Sequence, residues 1–125
     1  MRIYKTKIFA RFLRKESIGD PDLVEACRRA NQGLIDADLG GGLIKQRVAR
    51  PRQGRSSGYR TILLFQSGSL AVFLAGFAKN ERTNIAVDDL EDLKIIAKQW
   101  LTDPKRIEKD LAAGILNEVP DDNEG

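Results

Sequence analysis

A chain of 125 residues, 42% hydrophobic and 31% charged, can build one hydrophobic core and is too short for two ordinary domains. That balance belongs to a soluble globular protein; no run of about 18 apolar residues occurs, and the first 15 residues lack the continuous apolar stretch of an export signal. With one cysteine, Cys27, and no histidine, the chain can form no intrachain disulfide, and it lacks the commonest general base near neutral pH and the commonest metal ligand. A cytoplasmic location without membrane contact is expected, and neither cofactor nor metal is.

The net charge of +3 hides a division along the chain. Leu39 to Asn80 carries Lys45, Arg47, Arg50, Arg52, Arg55, Arg60 and Lys79 and no acid, whereas Glu81 to Gly125 is acidic overall. Clustered cations suit a polyanion, because phosphates that meet them release counterions. A solvated arginine-rich loop would carry the same charge.

Arg2 to Tyr4 reads as a short strand. Ile8, Phe9, Phe12 and Leu13 then recur at helical spacing and predict an amphipathic helix over about Lys5 to Lys15, with Lys5, Lys7, Arg11 and Arg14 off its apolar stripe. Asp20 and Pro21 predict the capped start of a second helix, through Leu23, Val24, Cys27 and Ala30 to Gly33. The two should form a hairpin over one face of a sheet. Gly40-Gly41-Gly42 is expected as a flexible entry to a strand from Leu43 to Val48, in which Lys45 and Arg47 share a face. Ala49 to Gly58, interrupted by Pro51, Gly54 and Gly58, is expected as a long basic loop.

Tyr59 to Phe65 and Leu70 to Phe77 predict an antiparallel hairpin. The second run is apolar almost throughout, as in a strand buried on both faces. If Phe65 pairs with Leu70, Arg60 stands opposite Ala75 and shares a face with Lys79. Asp88 can cap a third helix with an apolar stripe of Leu90, Leu93, Ala97, Trp100 and Leu101. Asp103-Pro104 ends it and begins a fourth, which stops near Gly114. Ile115 to Val119 is expected as a last strand. One domain over residues 1–119 and an acidic flexible tail over 120–125 result.

No phosphate-binding glycine loop, paired-cysteine motif or metal-protease motif occurs. The remaining candidate is a surface of lysine and arginine beside Tyr59, suited to holding and stabilising a reacting phosphate. RNA carries its own nucleophile, the 2′-hydroxyl. A protein that cuts it must position the strand, move two protons and neutralise charge. Lys45 and Lys79 are the candidate acid and base, and arginine, always charged, serves the phosphate. The structural alternatives are an ion pair at the sheet edge for Arg60, an exposed cap for Lys79 and a packing ring for Tyr59.

The segments Gly40-Gly41-Gly42-Leu43-Ile44-Lys45-Gln46-Arg47-Val48-Ala49-Arg50, Gly58-Tyr59-Arg60-Thr61-Ile62 and Gly76-Phe77-Ala78-Lys79-Asn80-Glu81-Arg82 together resemble RelE/HigB-like toxins of type II toxin-antitoxin systems. The resemblance implies an α+β fold, a small antiparallel sheet with helices packed on one face. It implies an mRNA interferase: a ribosome-dependent endoribonuclease that leaves a 2′,3′-cyclic phosphate, inhibits translation and is restrained by a cognate antitoxin. Arg60 and Lys79 then match the family's basic residues at the start of one strand and the end of the next, and Lys45 matches the preceding basic strand; these are the expected catalytic groups. Arg47, Arg50, Arg52, Arg55, Tyr59 and Arg82 are expected to bind the RNA and its phosphates. Two rivals stand beside this reading: a gyrase inhibitor resembling ParE, which shares the architecture, and a nucleic-acid-binding module without catalysis.

Overall fold

The computed structural model describes residues 1–50, 54–78 and 87–120. β1 (Arg2–Thr6) ends where the Thr6 hydroxyl accepts a hydrogen bond from the Phe9 N–H at 3.1 Å, which caps α1 (Lys7–Glu16). The strand-to-helix change therefore falls two residues later than periodicity alone places it. Phe9, Ala10 and Leu13 are buried, and Ser17, at φ 57°, closes the helix. α2 (Asp20–Asn31) starts at Gly19, whose N–H donates to the Asp22 carboxylate at 3.2 Å. Asp20, the expected cap, instead pairs with Lys5 of β1 at 2.7 Å, tying the helix to the sheet.

β2 (Ala37–Gly40) and β3 (Leu43–Arg50) form an antiparallel pair joined through Gly40, Gly41 and Gly42, at φ 83°, 64° and 85°. Three successive left-handed residues are tolerable only as glycine, so the expected flexible entry is a specified turn. β4 (Gly54–Gln66) and β5 (Leu70–Ala78) follow. The expected basic loop over Ala49 to Gly58 is much shorter: β3 reaches Arg50, β4 begins at Gly54, and these two residues pair across a register shift.

The β4–β5 hairpin departs from expectation by one residue twice. Its turn is Ser67-Gly68-Ser69, so Phe65 pairs with Ala71 rather than Leu70. A bulge at Leu74 then shifts the register again and places Arg60 opposite Phe77 rather than Ala75. The two shifts cancel in parity, so Arg60 keeps its expected face.

α3 (Val87–Thr102), α4 (Lys105–Ala112) and β6 (Leu116–Glu118) complete the described residues, whose sheet runs β2-β3-β4-β5-β1-β6. β1 lies parallel to β5 and antiparallel to β6. Among the described residues no helix is long and apolar enough to cross a membrane.

The fold is α+β, as expected, and α1 with α2 covers one face of the sheet. There Phe9, Leu13, Leu23 and Cys27 pack on Ile3, Ile44, Val48, Tyr59, Leu63 and Phe73. Two features correct the expected picture of an antiparallel sheet with helices on one face. The sheet is mixed, because β1 runs parallel to β5, and α3 with α4 covers the second face, where Ala97, Trp100 and Ile107 pack on Tyr4, Leu43, Ile62, Leu64 and Val72. The physical reason is visible in β5: side chains alternate across a strand, and Ala71 and Phe73 on one face and Val72 and Leu74 on the other all need cover. Within this second core the Trp100 indole donates to buried Asp110 at 2.8 Å, and Arg106 neutralises the same carboxylate at 3.2 Å.

Candidate functional site

Alternation along two paired strands assembles the site. On β4, Tyr59, Thr61 and Leu63 point toward α1 and α2, while Arg60, Ile62 and Leu64 point to the opposite face. On β3, Ile44, Gln46 and Val48 take the first direction and Leu43, Lys45 and Arg47 the second. The register sets Arg47 directly opposite Arg60, and Lys45 opposite Ile62. Lys45, Arg47 and Arg60 therefore share one face as cross-strand and next-but-one neighbours. Leu43, at the start of β3, is fully buried near the end of α3; Lys45 and Arg47, further along, are only half-buried.

Buried polar contacts on the other face hold β3 in this phase. The Gln46 amide nitrogen donates to the carbonyls of Ala26 and Leu34, both at 3.0 Å, and the Thr61 hydroxyl donates to the Gln46 carbonyl at 2.8 Å. Arg29 of α2 reaches the Arg47 carbonyl while pairing with Glu25. Rotating β3 by one residue would break these bonds inside the core, where an unsatisfied polar group costs about 1–3 kcal/mol. The direction of Lys45 and Arg47 is thus set from behind.

Two guanidinium groups at directly opposite positions repel. Arg47 is drawn away by Asp36, which lies just before β2 and accepts from Arg47 Nε at 3.1 Å. Because β2 flanks β3 on the side away from β4, this ion pair pulls Arg47 away from Arg60. Arg60 Nη1 is buried and has no hydrogen-bond acceptor among the described residues. A buried cationic donor without a partner is unfavourable unless an anion arrives to satisfy it.

Tyr59 stands apart from this group. It is 2% exposed on the α1 side of the sheet, its hydroxyl donates to Glu16 at 2.8 Å, and its ring meets Phe12 edge-on at 5.5 Å. Its place in this structure is the packing ring that was the alternative reading of the sequence. Arg50 and Arg55 occupy backbone positions at the adjoining ends of β3 and β4. Their side chains, together with Arg52, Lys79 and Arg82, lie outside the described residues. Asp36 is the site residue that sequence reasoning missed, since nothing local connects it to Arg47.

The α+β fold agrees with the family comparison. A family model described as RelE toxin of the RelE / RelB toxin-antitoxin system matches residues 1–119. The chain belongs to the RelE toxin family. Comparison with curated proteins gives no match. Membership makes the chain the toxin half of such a system and implies an antitoxin partner.

Proposed function

We propose that the protein is an mRNA endoribonuclease acting on the translating ribosome, and that the face bearing Lys45, Arg47 and Arg60 holds the phosphate it cuts. The observation that carries this reading is the pair Arg47 and Arg60, set opposite each other with one buried Arg60 amino group unsatisfied. A phosphodiester entering between them supplies the missing acceptor.

The reaction follows from RNA's own chemistry. The 2′-oxygen attacks the adjacent phosphorus, the bond from phosphorus to the 5′-oxygen breaks, and a 2′,3′-cyclic phosphate and a 5′-hydroxyl result. One group takes the 2′-hydroxyl proton and another returns a proton to the departing 5′-oxygen. Lys45 is the described candidate for one of these tasks, and Lys79 is proposed for the other. Arg47 and Arg60 neutralise the charge that builds on the phosphate oxygens, with Arg50, Arg52, Arg55 and Arg82 proposed along the strand's path.

The test is to add the purified protein to a translation reaction on a defined message, map new RNA ends and determine the chemistry of the new 3′ end. Cuts on translated message that end in a cyclic phosphate support the proposal. A well-folded protein that cuts neither translated nor naked RNA refutes it.

Asp36 gives a finer check. Asp36→Asn keeps an oxygen to accept from Arg47 but removes a negative charge from the basic face. RNA affinity at low salt is expected to rise about two- to fivefold, as loss of roughly 1 kcal/mol of opposing Coulomb energy predicts. Thermal stability should change little, because the pair is partly exposed. Fluorescence anisotropy with a labelled single strand, alongside a melting curve, reads both.

A further inference from the structure

The edge of β5 carries a notch between the two helical layers. β1 pairs with β5 only as far as Lys5 and Phe73, and the chain then turns into α1 at Lys7, while β5 runs on to Ala78. Among the described residues no strand covers that side of β5 beyond Phe73. A cavity of about 310 Å³ lies there, walled by Leu74, Ala75 and Phe77 of β5, Ile8 of α1 and Leu93 of α3. The bulge at Leu74 helps to open it, because Leu74 and the next residue, Ala75, both meet the core beneath α3, and alanine is too small to fill the space.

Apolar groups surround this notch without filling it. Ile8 is 74% exposed, more than any other large apolar side chain among the described residues. Ile96, one turn beyond Asp92 on α3, is exposed, as is Ile115, whose carbonyl accepts from the Lys7 N–H at 2.9 Å. A single exposed aliphatic is ordinary on a protein surface, but a group of them about one apolar cavity is a patch of the kind that marks a contact site. Charge on either side selects the occupant. The α3 wall carries exposed Asp89 and Asp92, and the α1 wall begins with exposed Lys7, next to Ile8. The patch therefore holds a knob beside a hole and an acidic wall facing a basic one. A surface that contains both halves of its own complement meets the requirement of a two-fold contact, in which the same patch serves on both partners.

We infer that this patch joins two copies of the chain, with Ile8 of each copy seated in the notch of the other and the Lys7 side of each set against the Asp92 side of the other. Half a turn about an axis lying along the notch, in the plane of contact, brings the α1 wall of one copy onto the α3 wall of its partner. The buried Ile8 pair is the apolar anchor of the contact, and the opposed charges fix its register. None of Lys45, Arg47 and Arg60 lines the notch, so the contact is independent of how the basic face is used.

The test is sedimentation equilibrium of the full chain from low micromolar to submillimolar concentration. The mass of wild type should rise with concentration from 13.9 kDa toward twice that value. Ile8→Asp should weaken association at least about tenfold, because it carries a charge into the apolar centre of the contact. Its melting curve should match wild type, since Ile8 is exposed in the single chain, and Ile8→Leu should associate as wild type does. Lys7→Glu and Asp92→Lys should each weaken association about five- to tenfold, since each change recurs twice across the two-fold axis. An equimolar mixture of these two variants should recover wild-type affinity, because the two acidic walls of the first then face the two basic walls of the second. A wild type that stays monomeric overturns the inference and leaves the patch to another protein, the antitoxin first. Association that Ile8→Asp does not weaken belongs to another surface and overturns it too, as does a mixture of the charge variants that associates no better than either alone.

Discussion

Replacing Arg60 with methionine is expected to lower RNA cleavage by about 10²- to 10³-fold, the scale found when one pre-set donor to a developing oxyanion is removed. The same change should leave the folded protein as stable as before, or slightly more so. Arg60 Nη1 is buried without an acceptor among the described residues, and the group faces Arg47 across the ladder. Methionine retains most of the aliphatic stem of Arg60, whose cross-strand neighbour is Phe77, and removes both the unsatisfied donor and the repulsion. A structural ion pair would behave in the opposite way, with stability falling and cleavage following only through unfolding. The measurement is therefore paired: single-turnover cleavage on translated message and a urea midpoint on the same preparation. A midpoint that falls in step with activity would count against a phosphate-binding Arg60.

Gly76→Ala is expected to destabilise the fold by about 2–3 kcal/mol, near the upper end for overpacking a core. A Cβ built at Gly76 lies 2.5 Å from Phe12 Cε1 and 2.9 Å from Phe9 Cε1, well inside contact distance. Phe9 is 1% exposed and stacked against Phe73 at 5.4 Å, so it cannot swing aside without opening the core. The backbone at Gly76 is not left-handed, and the penalty arises from the missing side chain alone. A drop in the urea midpoint at unchanged slope would show it. Because Gly76 precedes Phe77, the residue opposite Arg60, RNA affinity should weaken as well, and Phe12→Leu in the same chain should restore part of both losses.

What could be read from the sequence follows the periods of its elements. The stripe of Phe9 and Leu13, the stripe of Ala97 and Trp100, and the turn at Gly68 each declare an element, because a buried face imposes its own repeat. β2 was not legible, since Ala37-Asp38-Leu39-Gly40 is too short to carry a pattern. The bulge at Leu74 was hidden because an apolar run from Leu70 to Ala75 has no polar residue to mark which face each side chain takes. The same run did show that both faces of its strand need cover, but it carried no sign of which elements supply it on each side. At the site, the pairing of Lys45 and Arg47 on one face needed only alternation, whereas the opposition of Arg47 and Arg60 needed the β3–β4 register, and Asp36 needed the β2–β3 turn. Tyr59 and Arg60 are neighbours in sequence and face apart in space, a separation that any two consecutive strand residues share.

The position of β1 has a further consequence for when the protein acquires its structure. This strand, the first to be synthesised, lies between β5 and β6, the last two, and is closed on its outer side by Val119 N–H bonding to the Ile3 carbonyl at 2.8 Å. Until Leu116 to Val119 has been made, β1 has one bare edge and the Trp100 side of the sheet lacks Leu116. Contacts so distant along the chain form late, after the entropy of a loop spanning nearly the whole protein has been overcome. A nascent chain therefore cannot complete this sheet until Leu116 to Val119 has been made, so the site strands β3 and β4 are synthesised well before the sheet that holds them is closed.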